Sequence, residues 1–221
     1  MPQRRRSPPK LNRLWPTMDR GCGPAYEIRP VAWTRDAFFT ALRDMQSQGP
    51  GGDGLLLLRM PGRLNTAEIR TAASYAAEAG YQNRLCLAYP WFPRDEFGPA
   101  VGAAIAEAGL RAVLDDFDRD CCFDELLRHP VCGLRLSDRL AEATVSDPAS
   151  ASILEAMMGL AANLGMTTLV TRASMAARTA LIDLGVHYIG EDAPTDVRGS
   201  ESAEADRTSS RFRYQGAVYG P

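Results

Sequence analysis

The chain has 221 residues, of which 45% are hydrophobic, and a formal net charge of -2. This length and composition can bury one sizeable core, whereas two domains would each be small. A net charge so close to zero gives no general attraction to polyanions, which argues against nucleic-acid binding by the body of the protein. No apolar run approaches the roughly 18 residues of a membrane span, and the amino-terminal residues lack an apolar signal-peptide core.

The cysteines are five, an odd number, and no two of them have the C-x-x-C spacing. This pattern predicts neither a disulfide framework nor a structural zinc site. Free thiols are typical of a reducing compartment, so we expect a cytoplasmic protein. We expect no metal cofactor.

Residues 1–23 contain six basic side chains, one acid and four prolines. This composition predicts a disordered basic arm, which could be a solvated tail or could dock on an acidic partner, a membrane surface or RNA. Residues 24–221 are predicted to form one domain. Within it, residues 191–211 are polar and poor in large apolar side chains, so we expect an insertion or long loop there.

Hydrophobic periodicity predicts strands that alternate with helices along the domain. In chain order, the predicted elements are strand Tyr26–Ala32, helix Ala37–Met45, strand Leu55–Met60, helix Thr66–Ala79 with Thr66 as its N-cap, strand Arg84–Tyr89, helix Pro99–Ala108, strand Leu110–Leu114, helix Phe123–Leu127, strand Gly133–Leu136, helix Ala149–Leu164, strand Thr167–Thr171, helix Ser174–Leu184, a strand beginning at Val186–Ile189, and strand Phe212–Tyr219. This alternation of about seven strands with about six helices predicts a parallel α/β sheet, and it does not distinguish a closed barrel from an open sheet.

Two adjacent carboxylates, Asp115 and Asp116, stand at the carboxyl end of the strand that begins at Leu110. In parallel α/β folds the chemistry lies at the carboxyl ends of the strands, so this pair is the first candidate for a functional site. Adjacent acids in such a position could also cap the next turn or pair with an arginine.

The segment Leu114-Asp-Asp-Phe117 resembles the L-D-D-F-G motif of EAL-type cyclic-di-GMP phosphodiesterases. The following chain is similar to that family in register: Leu134-Arg-Leu-Ser137 to l-K-I-D, Ser152–Leu164 to the helix after it, Leu169–Ser174 to V-A-E-G-V-E, and Tyr214–Pro221 to the closing Y-x-Q-G-Y-x-F-x-x-P. The resemblance covers roughly residues 55–221 and implies a TIM-barrel-like parallel (β/α) barrel, shortened to about seven strands.

An active member of that family, as the resemblance implies, holds two divalent metals with oxygen ligands at the barrel mouth and keeps a lysine near the attacking water. Asp115 and Asp116 are retained, whereas the other positions are changed: Arg135 for the lysine, Ser137 for the aspartate after it, Thr171 and Ser174 for the two glutamates, and Trp91 for a further ligand glutamate. Asp138 follows Ser137 directly, and in a continuing strand it would point to the opposite face.

Two registers are possible upstream of these motifs. The preferred one places Arg59 at the family's metal-binding asparagine, leaves the E-A-L strand without a counterpart, and makes the chain short by about one hairpin before Leu55. The rival register places Leu55–Arg59 over E-A-L-x-R.

The loss of about four or five anionic ligands leaves too little negative charge for two dications, so the resemblance implies a degenerate domain without catalytic residues. We therefore expect an inactive regulatory or protein-interaction module in bacterial cyclic-di-GMP signalling. A metal-independent cyclic-di-GMP receptor is the alternative, and an active enzyme with Mg or Mn is a further one. The residues that would bind a ligand are Arg59, Asp115, Asp116, Arg135 and Gln215, although the arginines and aspartates could instead neutralise one another as salt bridges.

Overall fold

The structure of the protein, a computed structural model, describes residues 10–17, 23–30, 32–48, 53–90, 97–118, 121 and 126–191. Eight strands lie in this part of the chain: β1 Lys10–Pro16, β2 Ala25–Arg29, β3 Leu55–Arg59, β4 Leu85–Pro90, β5 Arg111–Phe117, β6 Gly133–Leu136, β7 Thr167–Ala173 and β8 Tyr188–Glu191. Its helices are α1 Arg35–Gln48, α2 Thr66–Glu78, α3 Phe97–Glu107, α4 Asp138–Ala143, α5 Pro148–Asn163 and α6 Met175–Asp183.

The strands form a closed barrel in sequence order from β1 to β8. Strands β2 to β8 are parallel, and β1 closes the ring by pairing antiparallel with both β2 and β8. A large apolar core is built from residues of the sheet and of helices α1 to α6, and a smaller one contains Leu57, Val113 and Leu169. The predicted TIM-barrel-like fold is therefore confirmed, with one antiparallel strand added.

The prediction of a disordered arm is wrong for residues 10–16, which form β1. Leu14 is completely buried and pairs with Ala25 on one side and Gly190 on the other. Arg13, on the opposite face, is exposed and places its guanidinium 3.9 Å from the centre of the Trp15 ring. Because the exposed face of this strand carries a basic side chain, Arg13, the composition of the segment resembles that of a solvated tail.

Local capping residues set the starts of the helices. Asn65, rather than Thr66, caps α2. Its side-chain oxygen accepts a hydrogen bond from the backbone amide of Glu68 at 3.0 Å, and the Glu68 carboxylate accepts one from the backbone amide of Asn65 at 2.8 Å. This reciprocal pair is a capping box. Ser137 caps α4 and Ser174 caps α6, each by accepting a hydrogen bond from the backbone amide three residues further on. Strands β6 and β7 are therefore each followed directly by a helix.

Several predictions lie outside the described residues. These are residues 1–9 and 18–22 of the predicted basic arm, the insertion predicted at 191–211 except Glu191, which belongs to β8, the strand Phe212–Tyr219, most of the helix Phe123–Leu127, Trp91 and Gln215. None of the described helices is both long and apolar enough to cross a membrane.

Candidate functional site at the carboxyl ends of the strands

Side chains along each strand point alternately into and out of the barrel, and polar inward side chains lie above its apolar interior. Side chains two residues apart on a strand share a face, so Arg59 follows Leu57 and Asp115 follows Val113 on the inward face. Leu57 and Val113 both belong to the inner apolar cluster. The candidate site therefore begins where that cluster ends, toward the carboxyl ends of β3 and β5.

Asp115 is the centre of the site and is 4% exposed. Its Oδ2 accepts a hydrogen bond from Nε of Arg59 at 2.7 Å, and its Oδ1 accepts one from Nη1 of Arg135 at 2.9 Å. Burial by itself would raise the pKa of Asp115, but the charges of Arg135 and Arg59 outweigh it and hold the pKa below its usual range. Asp115 is thus ionised, with one arginine on each oxygen.

Arg135 connects three parts of the barrel mouth from a buried position, 2% exposed. Besides Asp115 on β5, its Nε and Nη2 donate to Oγ1 of Thr171 on β7 at 3.1 and 2.8 Å. Its Nη2 also donates to Asp138 of α4 at 3.1 Å. Burial disfavours its charge, yet the carboxylates around it, Asp115 first, outweigh burial and raise the pKa of Arg135. The planar guanidinium has donors enough for all three partners.

Asp138 joins the site although strand alternation predicts that it points away. Strand β6 ends at Leu136, and Ser137 turns the chain into α4, whose first residue is Asp138. The Asp138 carboxylate therefore returns to Arg135 and also accepts a hydrogen bond from Nε of Arg172 at 3.1 Å. The expectation of an opposite-facing Asp138 is wrong because it extends a strand that the structure ends two residues earlier.

Asp116 lies at the rim of the site. Among the described non-glycine residues, it is the one whose φ is positive, 56°. The pairing of β5 with β6 shifts register between Leu114 and Phe117, which accommodates this left-handed residue. Its side chain is 66% exposed, and one carboxylate oxygen lies 3.8 Å from Nη1 of Arg135. Desolvation at the rim and the neighbouring charge of Asp115 raise the pKa of Asp116.

Arg59 has a partly exposed guanidinium. Its side chain is 19% exposed, and its Cζ lies over the Trp33 ring, 4.7 Å from the ring centre. Of the described residues, only Asp115 accepts a hydrogen bond from Arg59, through Nε. The two terminal nitrogens of this guanidinium are therefore the cationic donors of the site with the fewest partners in the described chain.

Solved EAL domains superpose on most of this chain. The EAL domain of Mycobacterium smegmatis DcpA is 19% identical, with a TM-score of 0.65 over 82% of this chain and 87% of that one. The Xanthomonas citri FimX EAL domain, in complex with cyclic-di-GMP, is 18% identical, with a TM-score of 0.68 over 83% and 85%. A standalone EAL protein from Vibrio cholerae O395, in its cyclic-di-GMP-bound form, is 14% identical, with a TM-score of 0.67 over 83% and 89%. The chain has the EAL-domain fold.

The similarity lies in structure rather than in sequence. No protein-family model matches the chain, and no curated protein matches it significantly. At this level of identity the EAL likeness describes the path of the backbone, and the side chains have to be assessed one by one.

The chain upstream of β3 forms a hairpin of β1 and β2, so the expectation of a chain short by one hairpin before Leu55 is wrong. Glu27 on β2 is 2% exposed and accepts a hydrogen bond from Nε of Arg29 at 2.6 Å. Strand β2, which pairs parallel with β3, carries Glu27 as a buried inward acid, and the register with Arg59 at the family's asparagine stays a prediction. The alternation of Ala25, Glu27 and Arg29 is the signal that sequence reasoning missed.

The described residues of this EAL fold do not fit a pair of divalent metals. Both oxygens of Asp115 are held by arginines, whose positive charge would repel a dication, and the glutamate positions hold Thr171 and the helix cap Ser174. Within the described ranges, no three His, Cys, Asp or Glu side chains are grouped so that they could hold a metal ion. What the site offers is a set of guanidinium and carboxylate groups that neutralise one another.

Proposed function

We propose that the chain is a catalytically inactive EAL-type module that acts in the cytoplasm, through a protein partner, in cyclic-di-GMP signalling. The observation that carries this proposal is the double occupation of Asp115, with Arg59 on one oxygen and Arg135 on the other. The EAL domains that it superposes on include cyclic-di-GMP complexes, which supports the signalling context.

Electrostatics support the absence of hydrolysis. Two-metal phosphodiester cleavage needs oxygen ligands that are free to bind dications, which then polarise the phosphate and lower the pKa of the attacking water. At this mouth the inward carboxylates of Asp115, Asp138 and Glu27 are each bonded to arginine, and Arg135 replaces a lysine by a group with too high a pKa to transfer protons. The described residues therefore offer neither the metal ligands nor the proton carrier of that chemistry.

We expect the purified chain to leave cyclic-di-GMP intact in the presence of Mg²⁺ or Mn²⁺. Chromatography of the nucleotide over time measures this, with an active EAL phosphodiesterase as the positive control. Hydrolysis that disappears in an Asp115→Asn variant with an unchanged circular dichroism spectrum would refute the inactive assignment.

A second candidate function, a metal-independent cyclic-di-GMP receptor, is favoured by Arg59. Its terminal nitrogens have no acceptor among the described residues, and the neighbouring Trp33 is 41% exposed. A guanidinium fork can bind a phosphate, and an aromatic ring can stack on a base. Arg135 is a weaker candidate for this role, because Asp115, Asp138 and Thr171 already accept its hydrogen bonds.

Titration calorimetry with cyclic-di-GMP separates the two functions. The inactive interaction module predicts no saturable heat. The receptor predicts saturable binding that a metal chelator leaves unchanged and that Arg59→Ala weakens, by at least about tenfold for a lost charge-assisted phosphate contact. Arg35→Ala, which removes an exposed arginine of α1, is the matched control and should leave any binding intact.

A further inference from the structure

A second concave surface lies at the opposite end of the barrel from Asp115. It is a groove of about 580 Å³ between the carboxyl ends of α5 and α6, beside the first residues of β7 and β8. Its floor includes the side chains of Met158, Met166 and Leu184. This volume is in the range of concave sites that bind a compact ligand or the anchoring side chains of a partner.

Acidic side chains are part of the groove lining. Glu155 on α5 and Asp183 on α6 both line it, His187 lines it as well, and no lysine or arginine is among its described lining residues. Both helices also end here, at the caps Leu164 and Leu184, and neither has a basic residue in its last turn. A helix carboxyl end carries a partial negative charge, which makes an acid such as Asp183 in the last turn unfavourable for the helix itself.

Two exposed apolar residues are next in sequence to residues that line the groove. Leu164, 38% exposed, precedes Gly165, and Ile182, 43% exposed, precedes Asp183. On α5, a Cβ added to Gly159 would meet nothing within 4 Å, so another backbone can approach this helix closely. Methionines in the floor adapt their shape to different side chains, as is common on peptide-binding surfaces. The apolar floor and the acidic walls together match an amphipathic cationic segment.

We propose that this groove binds an amphipathic helix of a partner protein, with apolar side chains on Met158 and Met166 and with lysine or arginine beside Glu155 and Asp183. A cation placed there would pair with both acids and with the negative ends of α5 and α6. This inference deepens the proposed interaction function by naming its surface and the chemistry of its partner.

The probe is a fluorescent synthetic peptide with leucines three and four residues apart on one face and lysines on the other. Fluorescence anisotropy with the full chain is expected to show saturable binding that weakens as salt screens the charges. Glu155→Lys/Asp183→Lys is expected to weaken it by at least about tenfold, because like charges then face each other. Gly159→Gln, which adds a neutral side chain to open space on α5, is expected to weaken it without unfolding the helix.

The matched control is Asp36→Lys/Glu107→Lys, which changes the net charge equally at two exposed acids outside the groove, Glu107 being the last residue of α3. Equal weakening by both double variants would overturn the proposal, as would tight binding to the Gly159→Gln variant. Tighter binding after Arg4, Arg5 and Arg6 are changed to alanine would also overturn it, because the groove would then belong to the chain's own basic segment. Binding of a small polyamine in preference to the peptide would equally contradict a helical partner.

The groove and the barrel mouth can fail separately. Cyclic-di-GMP hydrolysis would refute the inactive function and leave peptide binding to the groove unaffected. Loss of specific peptide binding, with no hydrolysis, would refute the groove assignment alone.

Discussion

Replacing Arg135 with methionine is expected to lower the free energy of unfolding by about 3–5 kcal/mol. The variant keeps the volume of the side chain but leaves Asp115 with one arginine, and it removes a donor from both Asp138 and Thr171. A buried carboxylate that loses its partner keeps its desolvation cost without compensation. Urea unfolding followed by circular dichroism measures the change as a shift of the midpoint at constant slope.

Arg35→Met is the matched control for Arg135→Met. The Arg35 side chain is 60% exposed and lies 3.3 Å from Glu68, so its loss is expected to cost at most about 1 kcal/mol. Arg135→Lys keeps the charge without the planar fork and should fall between the two. If Arg135→Met were no more destabilising than Arg35→Met, the buried arginine would not hold the barrel mouth together.

Replacing Gly190 with alanine is expected to lower the free energy of unfolding by about 1–3 kcal/mol or more. The added methyl group over-packs the seam that closes the barrel, where β8 lies between β7 and β1. A Cβ at Gly190 would collide with the Thr171 carbonyl oxygen and would lie 2.9 Å from Cδ2 of Leu14. Backbone of β7 and a buried side chain of β1 form this obstacle, so neither can yield easily. Thermal or urea unfolding of the variant measures the loss.

Gly159→Ala provides the contrasting result. At Gly159, in the interior of α5, the added Cβ meets nothing within 4 Å, so the variant is expected to gain about 0.5–1 kcal/mol from reduced backbone entropy. Equal effects of the two glycine substitutions would show that the seam at Gly190 is looser than its contacts indicate.

The order of strands and helices could be predicted from sequence because it depends on local periodicity. The predicted bounds of β6 agree with the observed ones, and those of α5 differ by one residue at each end. The barrel itself followed only from the resemblance around Asp115, because periodicity is the same in an open sheet. Gln215, outside the described residues, stays a predicted ligand residue.

The sequence alone determined the alternation of elements and the position of the Asp115–Asp116 pair at a strand end. Only the tertiary structure decided that residues 10–16 close the barrel, since β1 pairs with β8, from which it is far removed along the chain. It also decided the state of the site: Arg59 and Arg135 approach Asp115 from strands far apart in sequence. The composition gives the numbers of acidic and basic side chains. Which of them form ion pairs depends on distances that are set only when the barrel has closed.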